Sequence, residues 1–349
     1  MNCVNPMNGK LKRAFVSGLA VTAGALQPSS AAAQEFQAKS VNIVVGFPPG
    51  GGYDTIARVF ARYVGKQLPG SPGVVVQNQP GAGSLLAANL LFNTAPKDGS
   101  HIAMFASSAV LEPMIGNPQA KFDPNKFEWV GNLNRDTPSC GAWKSSGIKT
   151  WDDVTKRKTR YGASGPAAIT AQHAFFIGNV LKAQTQVIMG LGGTGPIVLA
   201  MQRGEVDASC GMFISSVRAS FRTDYEAGNL IIFIQMGKQN LPYFKGAANV
   251  YDLVKTAEEK QLTEFVFSQA EVTRPLALPP GTPAGIVTAM RAAFDKAVRD
   301  PDYLAELAKA QIEAEPMNGA ETAAAFKGIT SASPAIIERS KAVLTPPKD

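Results

Sequence analysis

The segment Val41-Asn-Ile-Val-Val-Gly-Phe-Pro-Pro-Gly-Gly-Gly-Tyr-Asp-Thr-Ile-Ala-Arg58 carries three kinds of local signal in succession. Val41 to Val45 is an apolar run of strand length. Pro48-Pro49 ends it, three glycines follow, and Ile56, Val59, Phe60, Tyr63, Val64 and Leu68 then recur at helical spacing. The segment predicts a strand, a glycine turn and a helix. Glycine lets another group approach the backbone closely, and the first N–H groups of a helix have no partner within it. Such a turn can hold an anion on backbone N–H groups alone. It can equally be an ordinary tight connection, and the glycines by themselves do not decide between the two.

A second loop of the same kind lies downstream. Val74-Val75-Val76 predicts a short strand, Asn78-Gln79-Pro80-Gly81-Ala82-Gly83-Ser84 a glycine turn with Ser84 as helix N-cap, and Leu85, Leu86, Leu90 and Leu91 the helix that follows. A third strand, His101 to Phe105, ends in Ala106-Ser107-Ser108. Strands alternating with helices predict a mostly parallel sheet, and such sheets bind ligands beyond the carboxyl ends of their strands. All three loops fall at those ends, so they are expected to face one crevice.

Outside this region the chain divides further. Residues 1–33 read as a secretory leader: Lys10, Lys12 and Arg13, an apolar run from Ala14 to Leu26, and Ala31-Ala32-Ala33 before an expected cleavage. Without those three basic residues the formal net charge drops from +7 to +4. The remaining basic residues are scattered, which argues against nucleic acid as a partner. No later run approaches the roughly 20 apolar residues of a membrane span, so an exported, periplasmic protein is expected. Of the three cysteines, Cys3 leaves with the leader. An oxidising compartment permits a Cys140–Cys210 disulfide, but a domain of this size does not need one, and free thiols are the expected state.

Asn134-Arg135-Asp136-Thr137-Pro138 looks like a crossing, after which the α/β pattern starts again. Glycine and hydroxyl loops at Ala163-Ser164-Gly165-Pro166 and Gly190-Leu-Gly-Gly-Thr-Gly-Pro196 again end strands and open helices. Val272-Thr-Arg-Pro-Leu-Ala-Leu278 is extended and looks like a return crossing. Three C-terminal helices, the last over Ser333 to Leu344, are expected to cover the first sheet. The layout is therefore an α/β protein of two lobes: 34–134 and 272–349 form the first, 135–271 the second, and two strands form the hinge.

The motifs Phe47-Pro-Pro-Gly-Gly-Gly with Asp54 and Ala57-Arg58, Asn78 with Pro80-Gly-Ala-Gly83, Ala95-Pro96 with Asp98-Gly99, Gly204-Glu-Val-Asp207 and Leu278-Pro-Pro-Gly-Thr-Pro283 together resemble the successive signatures of the Bug family. These are extracytoplasmic solute receptors of tripartite tricarboxylate transporters. The resemblance implies a type II, Venus-flytrap binding protein that closes on a small carboxylate and delivers it to membrane permease subunits as a monomer. Presentation to a sensor kinase is the competing use. Carried over by position, the resemblance implies ligand contacts from Pro49, Gly50, Gly51, Gly52 and Tyr53, and from Gly81, Ala82, Gly83 and Ser84; Ser107 at the third strand end is expected in the same crevice from its position alone. In the second lobe it implies Ser164, Gly165, Ala167, Gly193 and Thr194. Tyr53 stands where the family usually has a small residue, and Gly190-Leu-Gly-Gly replaces a Tyr-Lys-Gly-Gly pattern. A ring in the cleft and a missing cation favour a mono- or dicarboxylate, aromatic ones included.

Asp54 would repel such a ligand, so it is expected to turn back onto its helix, supported by the helix dipole and by Arg58 one turn later. Enzyme chemistry finds little purchase here. His101 and His173 lack metal-ligand spacing, Gly162-Ala-Ser-Gly165 is not a nucleophile elbow, and neither glycine loop completes a phosphate or dinucleotide fingerprint. No catalytic residue, metal or cofactor is expected, and a secreted hydrolase is the remote alternative.

Overall fold

The structure is a computed structural model of the chain and describes residues 36–346; the expected leader, residues 1–33, lies outside them. Twelve strands follow one another. β1 (Ser40–Val45), β2 (Gly73–Asn78), β3 (His101–Met104) and β4 (Glu128–Asn132) come first. β5 (Pro138–Trp143), β6 (Thr159–Gly162), β7 (Thr185–Ile188), β8 (Ala208–Phe213), β9 (Leu230–Gln235) and β10 (Ala248–Asn249) form the middle run. β11 (Pro275–Leu278) and β12 (Met317–Asn318) close the series. They assemble into two six-stranded sheets, β12-β4-β11-β3-β1-β2 and β10-β9-β5-β8-β6-β7. The chain is thus a two-lobed α/β protein, one sheet to each lobe.

Both sheets are mixed, with antiparallel pairs around one inserted strand in each, and in the first sheet β12 also runs antiparallel to β4. β11 runs antiparallel to β3 and β4, and β5 antiparallel to β8 and β9. β1, β2 and β3 run toward the crevice, whereas the strand arriving across it runs away, and β12 takes the same direction as β11. The two crossings are bonded to each other: Leu133 N–H donates to Arg274 O at 3.0 Å, Asp136 N–H to Ala270 O at 3.2 Å, and Thr273 Oγ1 to Asn134 O at 2.7 Å.

The first sheet is covered on one face by the helices Gly52–Val64, Ala284–Ala297 and Pro301–Lys309. There Phe60 meets Phe294 and Tyr303 at ring separations of 5.5 and 6.5 Å. On the other face Trp129 stacks on Phe326 at 4.1 Å, which seats the helix Gly319–Thr330 on β4. The last helix, Pro334–Val343, differs from expectation. With both faces of the first sheet filled, it packs on second-lobe helices, where Asn179 Nδ2 donates to Val343 O and Thr345 O.

Cys140 and Cys210 correct the expectation of free thiols: they form a disulfide. They lie on the neighbouring strands β5 and β8, on either side of a register irregularity, so the sheet itself brings together residues 70 apart in sequence.

In the second lobe the helix Ile169–Asn179 is apolar on nearly every side and is almost wholly buried. His173 within it is fully buried, with neither ring nitrogen hydrogen-bonded among the described residues, and burial pushes it down to about 3 from its ordinary 6.5. In the unfolded chain it takes up a proton near 6.5, and in the folded chain it does not until far lower. Its contribution to stability is therefore intact above pH 6.5 and is lost as the pH falls from 6.5 toward 3. Chemical denaturation of wild type and His173→Phe across this range should differ in slope by up to about 1.4 kcal/mol per pH unit, the wild type losing stability faster.

Candidate functional site

The loop after β1 is set by one buried carboxylate. Asp54 turns back toward it, accepting from Gly50 N–H at 3.0 Å, Arg58 Nε at 2.9 Å and Asn78 Nδ2 at 2.8 Å. Burial raises its pKa, but the bonds from Arg58, Gly50 and Asn78 more than offset this and hold it below the usual carboxylate range. Asn78 also donates to Phe47 O, so the network ties the end of β2 to the loop after β1. The turn passes Gly50 at φ +83°, and the helix starts at Gly52 with Gly51 as N-cap. Its first N–H groups have no partner within the helix.

These N–H groups open onto a cleft between the lobes. From the first lobe it is lined by Phe47 to Pro49 and Gly51 to Tyr53; from the second, by Ser164, Ile169, Thr170, Gly193 and Thr194, with Phe213 and Ser216 at its floor. The space open to the centre of a water-sized sphere is about 40 Å³, so the lobes stand close together. A Cβ placed on Gly52 would lie 2.4 Å from Ser216 Oγ across this gap. Ser164 N–H donates to Thr170 Oγ1 at 3.1 Å, fixing the second-lobe loop around its hydroxyls.

Of the candidate residues, Pro49, Gly51, Gly52, Tyr53, Ser164, Gly193 and Thr194 share this cleft. Gly50, Gly81, Ala82, Gly83, Ser84, Ser107, Gly165 and Ala167 are not on its wall. The second glycine loop instead abuts the second lobe directly: a Cβ on Gly83 would lie 2.4 Å from Ala168 N, and one on Gly165 would lie 2.9 Å from Gly83 N. Three successive residues of that loop, Ala82, Gly83 and Ser84, adopt positive φ. Ser84 holds the expected N-cap position of the helix Leu85–Asn93 but makes no side-chain capping bond; its hydroxyl instead accepts from Ala106 N–H at 2.7 Å. Ser107 Oγ is buried without a partner among the described residues, while the adjacent Ser108 donates to Ala167 O at 2.8 Å.

Arg274 was not among the candidates, yet it reaches the cleft from the return crossing and is 1% exposed. Its guanidinium lies between the rings of Tyr53, at 4.2 Å, and Phe213, at 4.5 Å. Behind it stands Asp136 from the other crossing, at 3.7 Å, which also accepts from Ser215 Oγ. Burial pushes Asp136 up to about 6 against the opposing pull of Arg274 and Ser215. Burial likewise pushes the Tyr53 hydroxyl up to about 12. The available signal for Arg274 was a single charge inside the apolar run Val272 to Leu278. Arg135, by contrast, is half-exposed and paired with Glu271 at 3.5 Å.

Two sheets, two bonded crossings and a narrow cleft between opposed loops define a two-lobed binding protein. Residues 56–341 match the profile of the tripartite tricarboxylate transporter family receptor, and the chain belongs to that family, whose members are solute-binding receptors of the periplasm. It is 27% identical over 344 residues, 94% of this chain and 97% of the relative, to the "UPF0065 protein in gbd 5'region" of Cupriavidus necator. It is 38% identical to Protein BugT of Bordetella pertussis over 105 residues, 30% and 31% of the two chains. Among solved structures, the periplasmic binding protein BugD shares the fold at a TM-score of 0.72 and 19% identity over 88% of this chain and 98% of that one. A Rhodopseudomonas palustris protein solved with adipate does so at 0.69 and 16%, over 88% and 98%. MatC of the same organism, with bound malate, does so at 0.68 and 19%, over 89% and 100%.

Asp54→Ala removes the acceptor for three donors, one of them a guanidinium. Urea unfolding should show a loss of about 1–3 kcal/mol, and amide exchange should quicken at Gly50 to Gly52.

Proposed function

We propose that this receptor captures a small mono- or dicarboxylate between its lobes, in the periplasm, and delivers it as a monomer to the permease subunits of a tripartite transporter. One observation carries this: the unpartnered N-terminus of the helix Gly52–Val64 faces second-lobe hydroxyls across a gap narrow enough for both to touch one ligand. Backbone N–H groups at a helix start favour an anion. Ser164, Thr170 and Thr194 supply neutral donors opposite, and the rings of Phe47, Tyr53 and Phe213 give the cleft an apolar wall that suits the carbon skeleton of an aliphatic or aromatic acid. Relatives of the same fold bound to malate and adipate support the ligand class. A ligand that touches both lobes favours the closed state by the difference in its contacts.

The test is a thermal-shift and calorimetric screen of residues 34–349 against malate, adipate, benzoate, citrate and their amides. A carboxylate should raise the melting temperature, because it binds the folded state alone, and its amide should not. A shift given only by neutral compounds sinks the carboxylate assignment.

Closure has its own test. Gly52→Ala puts a methyl group where Ser216 stands only when the lobes are together. This variant should fold normally, bind the same carboxylate at least about 10-fold more weakly, a cost of about 1.4 kcal/mol, and show a smaller ligand-induced compaction by small-angle scattering.

A further inference from the structure

Arg274 is the one charged residue among those lining the cleft. A guanidinium carries five N–H donors, and the partners of this one are few: Thr273 O at 3.1 Å and Ser215 Oγ at 3.4 Å. The nearest Asp136 oxygen stands at 3.7 Å, beyond hydrogen-bond length. The rings of Tyr53 and Phe213 stand against the guanidinium at 4.2 and 4.5 Å. Its Nη2 lies close to the helix start, 3.2 Å from the position of a Cβ on Gly52, and Ser216 Oγ lies 2.4 Å from the same point. Ser216 is 3% exposed, and its hydroxyl has no hydrogen-bond partner among the described residues. A cation, a free hydroxyl and the helix N-terminus therefore converge on one place.

We propose that Arg274 and Ser216 form the carboxylate-recognition point of this cleft, with Asp136 as the buried countercharge against which the ligand competes. The proposal rests on the carboxylate assignment above and deepens it. A carboxylate there would accept from Arg274 on the crossing, from Ser216 in the second lobe and from the N–H of Gly52 in the first. The three groups come from the crossing, the second lobe and the first lobe, so a ligand group that touches them joins the lobes and favours the closed state. One cation that is already partly compensated matches one carboxylate group, which places a mono- or dicarboxylate ahead of a trianion.

Three variants of residues 34–349 test this, each titrated calorimetrically with whichever of malate, adipate, benzoate and citrate binds the wild type best, and with its amide. Ser216→Ala should weaken the carboxylate about 3- to 10-fold and Arg274→Gln about 10- to 100-fold, the range for hydrogen bonds to neutral and to charged donors. Asp136→Asn should tighten it several-fold and leave the amide unchanged, an effect that a merely structural role for the pair does not produce. Should Arg274→Gln fail to fold by circular dichroism, the other two variants decide. If the wild type binds a carboxylate and both Ser216→Ala and Asp136→Asn bind it within twofold of wild type, the recognition point is overturned and the carboxylate assignment stands. If the wild type binds none of the four acids, both fall.

Discussion

A buried ion pair at the hinge organises this molecule. Arg274 and Asp136 sit on the two crossings, almost wholly out of water. Taking two such charges into the interior is costly, and apolar residues of similar size would often serve stability as well, whereas losing one partner alone costs about 3–5 kcal/mol. The pair is therefore poorly explained as a source of stability. Its position gives it more meaning. It joins one crossing to the other, and through Tyr53 and Phe213 it places a lobe-one ring and a lobe-two ring on opposite faces of a single cation.

The strand directions place the loops that surround this pair. β1, β2 and β3 run toward the crevice, and β5 and β11, which arrive across it, run away. The loop after β1 is thereby brought to the gap, and the loop after β2 to direct contact with the second lobe. Asp54 then fixes the shape of the loop after β1 from behind, taking its hydrogen bonds from the loop and from the end of β2 and leaving the helix N-terminus uncovered.

Much of this was legible in the sequence because it is local. Val41 to Arg58 announces its strand, turn and helix by periodicity and glycine placement, and the pairing of Asp54 with Arg58 follows from their separation by one helical turn. What escaped notice is non-local. The partners of Arg274 are Tyr53, Asp136 and Phe213, scattered over more than two hundred residues, and nothing near Arg274 in sequence announces them. Gly83 looks like a ligand-binding glycine, and its need for space is real, but Ala168 of the other lobe fills that space. Free thiols were a fair expectation for Cys140 and Cys210 until the sheet made their strands neighbours. The final helix was assigned by default to the sheet nearest in sequence, which other helices had already covered.

That final helix alters the mechanics of the whole. Two lobes joined by a pair of adjacent strands can both bend and twist about them. Here the chain crosses a third time, after Thr330, and anchors on the far lobe through Asn179 and through the Arg339–Glu258 pair at 3.3 Å. A third attachment away from the first two resists torsion far more than it resists bending. The two lobes are thereby tied at a point well away from the paired crossings, and any change in their relative position has to carry the final helix with it.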